Sequence, residues 1–177
     1  MFKKISLAIV ILAAAVLLYA STRPDHSRIE RSLLIQAAPE AIFPYLNSPR
    51  AHQTWSPWEN KDPDMQRDYS GPQAGKDAKY EWSGDSNIGK GRMTVIESNP
   101  PSQVLIALEF LEPMQANNTA EFTLRPEAGG TEVTWAMYGP ANYLSKLMSL
   151  FLDFDAMIGK EFESGLAQLK QQVENGS

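Results

Sequence analysis

Apolar and polar positions change their spacing several times along the chain, and each change marks a different kind of element. From Ile5 to Ala20 the run is apolar on every side, with Ser6 and Tyr19 as its only polar groups. Arg28 to Gln36 sets Ile29, Leu33 and Ile35 among polar neighbours, which predicts a strand. Ala38-Pro39-Glu40 then opens a short helix with Pro in its first turn. Ile42, Phe43 and Leu46 hold helical spacing there until Asn47-Ser48-Pro49 ends it. A second short helix or turn is expected over His52 to Trp58.

From Met65 the spacing becomes two, broken by turn signals at Ser70-Gly71-Pro72, Ser83-Gly84-Asp85, Asn99-Pro100-Pro101 and Ala128-Gly129-Gly130. Ala78, Tyr80 and Trp82 share a face opposite Lys79 and Glu81, and Met93 and Val95 lie opposite Arg92 and Thr94. Further stripes run through Val104, Ile106, Leu108 and Phe110, through Ala120, Phe122 and Leu124, and through Val133, Trp135 and Met137. Each predicted strand has one wet and one apolar face. After Gly139-Pro140 the helical period returns, with Leu147, Phe151, Phe154, Ile158, Phe162, Leu166, Leu169 and Val173 on one stripe and Asn175-Gly176 as its end. Strand, two short helices, meander and long terminal helix predict an α+β arrangement in which the helix covers the apolar face of the sheet. The expected organisation is a membrane segment over residues 1–22, a linker over 23–27 and one folded domain over 28–175.

Composition narrows the chemistry. A chain of 177 residues suits one domain with an appendage. The absence of Cys removes disulfides, thiol catalysis, iron–sulfur clusters and cysteine zinc sites, and two His residues give little to build a metal site from. The net charge is −5, but Lys3, Lys4 and Arg23 precede the folded part, leaving 13 basic against 21 acidic residues, which argues against nucleic acid as a partner. At about 1.5 Å per residue, Phe2 to Ala20 falls just short of a ~30 Å hydrocarbon core. Leu18 is a poor residue for signal cleavage after Ala20, so an uncleaved anchor is the favoured reading, with a cleaved signal peptide as the alternative. The paired lysines hold the amino terminus in the cytoplasm, so the domain is expected outside it, which in a bacterium is the periplasm.

The segments Ile35 to Leu46, Trp55-Ser56-Pro57-Trp58, Gly89-Lys90-Gly91-Arg92-Met93, Asn99-Pro100-Pro101 and Thr131-Glu132-Val133-Thr134-Trp135 resemble the helix-grip superfamily. That superfamily includes the birch pollen allergen, the StAR-related lipid-transfer domains and the polyketide cyclase/dehydrase proteins. The resemblance spans Ile29 to Val173 and implies a curved antiparallel sheet of six to seven strands wrapped around the C-terminal helix. It further implies an apolar cavity between helix and sheet. Carried onto this sequence, the cavity walls would come from Tyr80, Trp82, Met93, Phe110, Phe122, Trp135 and Met137 of the sheet and Phe154, Met157, Ile158 and Phe162 of the helix, with Trp55 and Trp58 near the mouth. Aromatic and Met side chains suit flexible apolar ligands, and they equally suit a plain core.

For catalysis, His26 stands beside the membrane segment and His52 reads as part of a polar turn, each without a visible partner. Relatives that act as cyclases, dehydratases or hydrolases make Tyr80, Arg92 and Glu97 the residues to watch. Strand parity turns Arg92 outward and Glu97 inward, so Glu97 joins the expected cavity residues. No catalytic constellation assembles, and neither a cofactor nor a metal is expected. Leu147 to Phe154 is apolar nearly all round, more than one buried stripe requires. With Tyr143 and Leu144 it forms either a gate or membrane-contacting lip, or a surface packed under Trp55 to Trp58. The sequence therefore reads as a membrane-tethered domain that binds a hydrophobic small molecule, of lipid or isoprenoid-quinone class, as carrier or sensor. A small-molecule enzyme and an envelope protein-interaction domain with a vestigial cavity are the alternatives.

Overall fold

The computed structural model describes residues 2–176, without the side chains of Phe2 and Lys3, so the part of the paired-lysine reading that rests on Lys3 lies outside the described residues. Helix α1 runs Phe2–Ser21 and strand β1 His26–Ile35. Helix α2, Pro39–Asn47, starts where Pro39 sets the helical φ, and two short 3-10 helices follow at Ala51–Thr54 and Pro57–Asn60. Six more strands come next: β2 Gln66–Ser70, β3 Lys79–Ser83, β4 Lys90–Asn99, β5 Gln103–Glu112, β6 Ala116–Glu127 and β7 Gly130–Pro140. Helices α3, Tyr143–Met148, and α4, Phe154–Asn175, end the chain. All seven strands form one antiparallel sheet in the order β1-β7-β6-β5-β4-β3-β2, so β2 to β7 follow one another as a meander and β1 pairs with β7.

The apolar stripes read from the sequence meet as one core. Ile35, Val95, Val104, Ile106, Phe122, Val133 and Trp135 from the sheet pack with Ile42, Phe43 and Leu46 of α2 and Phe162, Leu166, Leu169 and Val173 of α4. No residue of α1 belongs to this core, so the domain has its own hydrophobic interior. Helix α4 lies close to the sheet because Gly165 leaves room: a Cβ there would stand 2.8 Å from the Trp135 ring and 3.0 Å from Pro57. On the other side Arg31 of β1 reaches over Gly159 and donates to Asp155 and Glu163 of α4, at 2.9 Å each.

In its elements and strand facing the fold departs from the sequence reading at α3–α4, at Glu97 and at the linker. The expected single terminal helix is two, because the Asp153 carboxylate accepts from Ala156 N at 2.9 Å and starts α4 afresh. Leu147 and Phe151 therefore leave the buried stripe, and Phe151 is 75% exposed. Glu97 faces outward, not inward, because a bulge at Val95–Glu97 inserts Ile96 as an extra residue and reverses the parity beyond it. Glu97 is exposed and accepts a hydrogen bond from Asn99 Nδ2. The expected linker is also partly structured: His26 and Ser27 already pair with Pro140 and Gly139.

Candidate functional site

Between α4 and the concave face of the sheet lies a cavity of about 310 Å³. Register explains its walls. Inward residues on neighbouring strands align in rows: Met137, Ala120 and Ile106 in one; Leu108, Met93 and Tyr80 in the next; Phe110, Gly91 and Trp82 nearest the end of the sheet. Ile158 and Phe162 of α4 close the opposite side, and Trp55 and Trp58 enter from the segment after α2. The row at Gly91 admits no Cβ, which would meet the Trp82 ring at 2.3 Å and the Glu109 carbonyl oxygen at 2.6 Å. Glycine there lets Trp82 lie across the strand and form the wall. The rings interlock: Trp135 stacks on Phe162 at 4.3 Å between centroids and meets Trp55 edge-on at 5.4 Å.

Of the residues the sequence placed at this cavity, Trp55, Trp58, Tyr80, Trp82, Met93, Phe110, Phe122, Trp135, Met137, Ile158 and Phe162 line it. Trp55 is buried in the interior rather than at the mouth. Phe154 packs against the core outside the cavity lining, and Met157 points to solvent at 58% exposure, one residue out of phase with Ile158 on α4. Glu97 is absent from the lining for the parity reason given above.

Of the polar lining the sequence named Tyr80 but not Glu59 or His52. Glu59, from the second 3-10 helix, is buried; its Oε2 accepts from Arg67 Nε at 2.8 Å and its Oε1 accepts from the Tyr80 hydroxyl at 2.9 Å. Arg67 also donates to the carbonyl oxygens of Met65 and Glu59, so the guanidinium is fixed by the turn that carries it. Burial, aided by the Glu59 carboxylate, pushes the Tyr80 phenol far above its usual range and keeps it protonated. His52 is buried rather than in a polar turn: its Nε2 donates to the Leu46 carbonyl oxygen at 3.0 Å, and its ring packs edge-on to Trp55 and Phe122. Burial lowers its pKa, so the neutral ring carries its lone pair on Nδ1. The only sequence signal for Glu59 was its place beside Trp58; a 3-10 turn has no period that a polar residue can break.

The site thus joins an aromatic, apolar wall to a few polar groups, the Glu59 carboxylate bonded to the Tyr80 phenol and, separately, the His52 imidazole. Such a cavity can hold an apolar molecule and accept a hydrogen bond from one polar group on it, at Glu59 or His52. Arg92 faces away, paired with Glu109 at 2.6 Å. Among the described residues no three His, Asp or Glu side chains gather as metal ligands.

Comparison with known proteins agrees with this geometry. A family profile described as polyketide cyclase / dehydrase and lipid transport matches residues 26–174. No curated protein matches the chain significantly. Among solved structures, a protein from Rhizobium leguminosarum superposes with a TM-score of 0.62 at 15% identity, over 85% of this chain and 95% of its own. The Aha1 dimer protein from Colwellia psychrerythraea gives 0.59 at 19% identity, over 85% and 98%. DynU16, from the dynemicin biosynthetic locus, gives 0.56 at 17% identity, over 88% of this chain and 49% of its own. At these identities the likeness establishes the fold alone.

Proposed function

The chain belongs to the polyketide cyclase/dehydrase and lipid transport family, and on that premise we propose that it is a membrane-tethered carrier or sensor of a hydrophobic small molecule. The observation that carries the reading is the cavity: about 310 Å³, walled by four tryptophans and other apolar side chains, with Glu59, Tyr80 and His52 among its few polar lining groups. Its size lies at the lower end of small-molecule sites, ~300–1,000 Å³. A quinone ring or a single apolar chain carrying one polar group fits that space better than a whole diacyl lipid. Helix α1 supports the tether, since Lys4–Ser21 is long and apolar enough to cross a bilayer and only 6% buried. The seating of α1 on the domain, where Tyr143 Oη donates to the Leu17 carbonyl oxygen at 2.9 Å, supports an anchor that is retained. The domain then stands on the extracytoplasmic side, periplasmic in a bacterium.

The test is direct because every tryptophan of the chain lines the cavity. The full chain in phosphatidylcholine nanodiscs is titrated with a short-chain quinone or a fatty alcohol while tryptophan emission is followed. Saturable change at one equivalent is expected; emission that responds to neither compound overturns the reading. A cavity of this volume speaks against a vestigial site. One observation favours a second reading, a cyclase- or dehydratase-type enzyme: Glu59, Tyr80 and His52 all border the same space. In that reading a product appears by mass spectrometry, and Glu59→Gln abolishes it while ligand still binds.

A further inference from the structure

The antiparallel topology sorts the loops to two ends of the sheet. At one end β1 stops at Ile35, β4 at Asn99 and β6 at Glu127, and there Ile42, Phe43 and Leu46 of α2 fill the interior. At the other end β1 begins, β7 finishes, and the β3–β4 and β5–β6 turns lie. The cavity reaches this second end: its outermost row, Trp82 and Phe110, is one or two residues from where β3 and β5 stop, and Ile88 of the β3–β4 turn borders it. Helix α1 joins the domain at the same end, through only Thr22 to Asp25. That connection is held rather than loose. Ala141 N donates to the Asp25 carbonyl oxygen at 2.7 Å, Lys146 pairs with Asp25, Tyr143 bonds to Leu17, and Ala20 is fully buried.

Large apolar side chains from three separate segments are exposed around this end. They are Leu111 and Met114 flanking the β5–β6 turn, Leu144 on α3, and Phe151 and Leu152 between α3 and α4, between 40% and 75% exposed. Of the charges among them, Lys146 pairs with Asp25 and Lys90 with Glu112 at 3.0 Å, and the Asp153 carboxylate caps α4. We propose that the open end of the cavity is seated on the same bilayer that α1 crosses, with these apolar side chains inserted among the lipids, so that ligand passes between membrane and cavity without crossing water. The proposal rests on the tether reading above. What identifies a lipid surface as the occupant is continuity: α3 packs on the last turns of the helix proposed to span, where Tyr143 bonds to Leu17, so a bilayer crossed by α1 would bring its headgroups to this end.

The absence of Cys permits a clean test with single labels. Full-length chains carrying Leu144→Cys, Met114→Cys or Phe151→Cys are labelled with a fluorophore and reconstituted in phosphatidylcholine vesicles containing a lipid-borne quencher. Leu12→Cys reports the span, and Leu34→Cys and Ile96→Cys report exposed apolar positions away from the proposed contact. The proposal expects the three rim labels to lose most of their emission, as Leu12 does, while Leu34 and Ile96 keep theirs. Rim labels as bright as Leu34 with Leu12 quenched would overturn the seating and leave the tether intact. A bright Leu12 would overturn the tether and the seating together. Rim labels that escape the lipid quencher yet are shielded from aqueous iodide would mean that a second copy of the chain covers this end, which also overturns the proposal.

Discussion

Ala120 and Ala78 separate a real cavity from a packed core, because both are buried alanines, Ala120 on β6 and Ala78 just before β3, and only Ala120 borders the cavity. Ala120 sits between Ile106 and Met137, themselves lining residues. Leucine adds three carbons. At Ala120 they enter open apolar space, and at ~0.8 kcal/mol per buried methylene they stabilise by between about 0 and 2 kcal/mol. At Ala78, packed in the core cluster outside the cavity, the same carbons have no space and cost about 1–3 kcal/mol. The domain from residue 24, whose core contains nothing from α1, is unfolded in urea with tryptophan emission as the probe. Ala120→Leu should match or exceed the parent in stability yet lose the emission response to ligand, while Ala78→Leu is destabilised. Equal destabilisation at both positions would refute the claim that the space beside Ala120 is free.

Three further outcomes follow from the site. His52 is held neutral below its unfolded pKa of ~6.5, so the unfolded chain takes up a proton that the folded one does not; stability should fall as pH drops from 7.5 to 5.5, and His52→Gln should flatten that slope in urea midpoints. Gly91→Ala places a Cβ 2.3 Å from the Trp82 ring, so about 1–3 kcal/mol of stability is expected to be lost, with a shift in tryptophan emission as Trp82 leaves the wall; an unchanged emission maximum would contradict this. Tyr80→Phe removes one donor from Glu59 at a cost of about 1 kcal/mol and should weaken a ligand bearing a hydroxyl more than its hydrocarbon analogue, read by competition binding; equal weakening would place the polar group elsewhere.

Strand stripes such as Val104 to Phe110 and Ala120 to Leu124 were legible because a strand buried on one face writes its burial at period two. The same rule misplaced Glu97, since a bulge adds a residue without leaving a mark that periodicity can see. Helix α4 was legible from Ile158 onward, but Asp153 reads from sequence as a solvated carboxylate, and the bond from Ala156 N shows it to be a cap. The aromatic walls could be named because each is a large residue on a stripe. Glu59 and His52 could not, because they sit on one-turn 3-10 helices, and their facing is set by contacts with Tyr80, Arg67 and Leu46 on other elements.

Native mass spectrometry of the full chain, released from membranes in mild detergent and followed by organic extraction, tests most directly that the cavity carries a ligand. A hydrophobic small molecule bound at one equivalent, and displaced by Ala120→Leu, is the expected result. A mass equal to the bare chain, unshifted by added quinones, fatty alcohols or single-chain lipids, would contradict it.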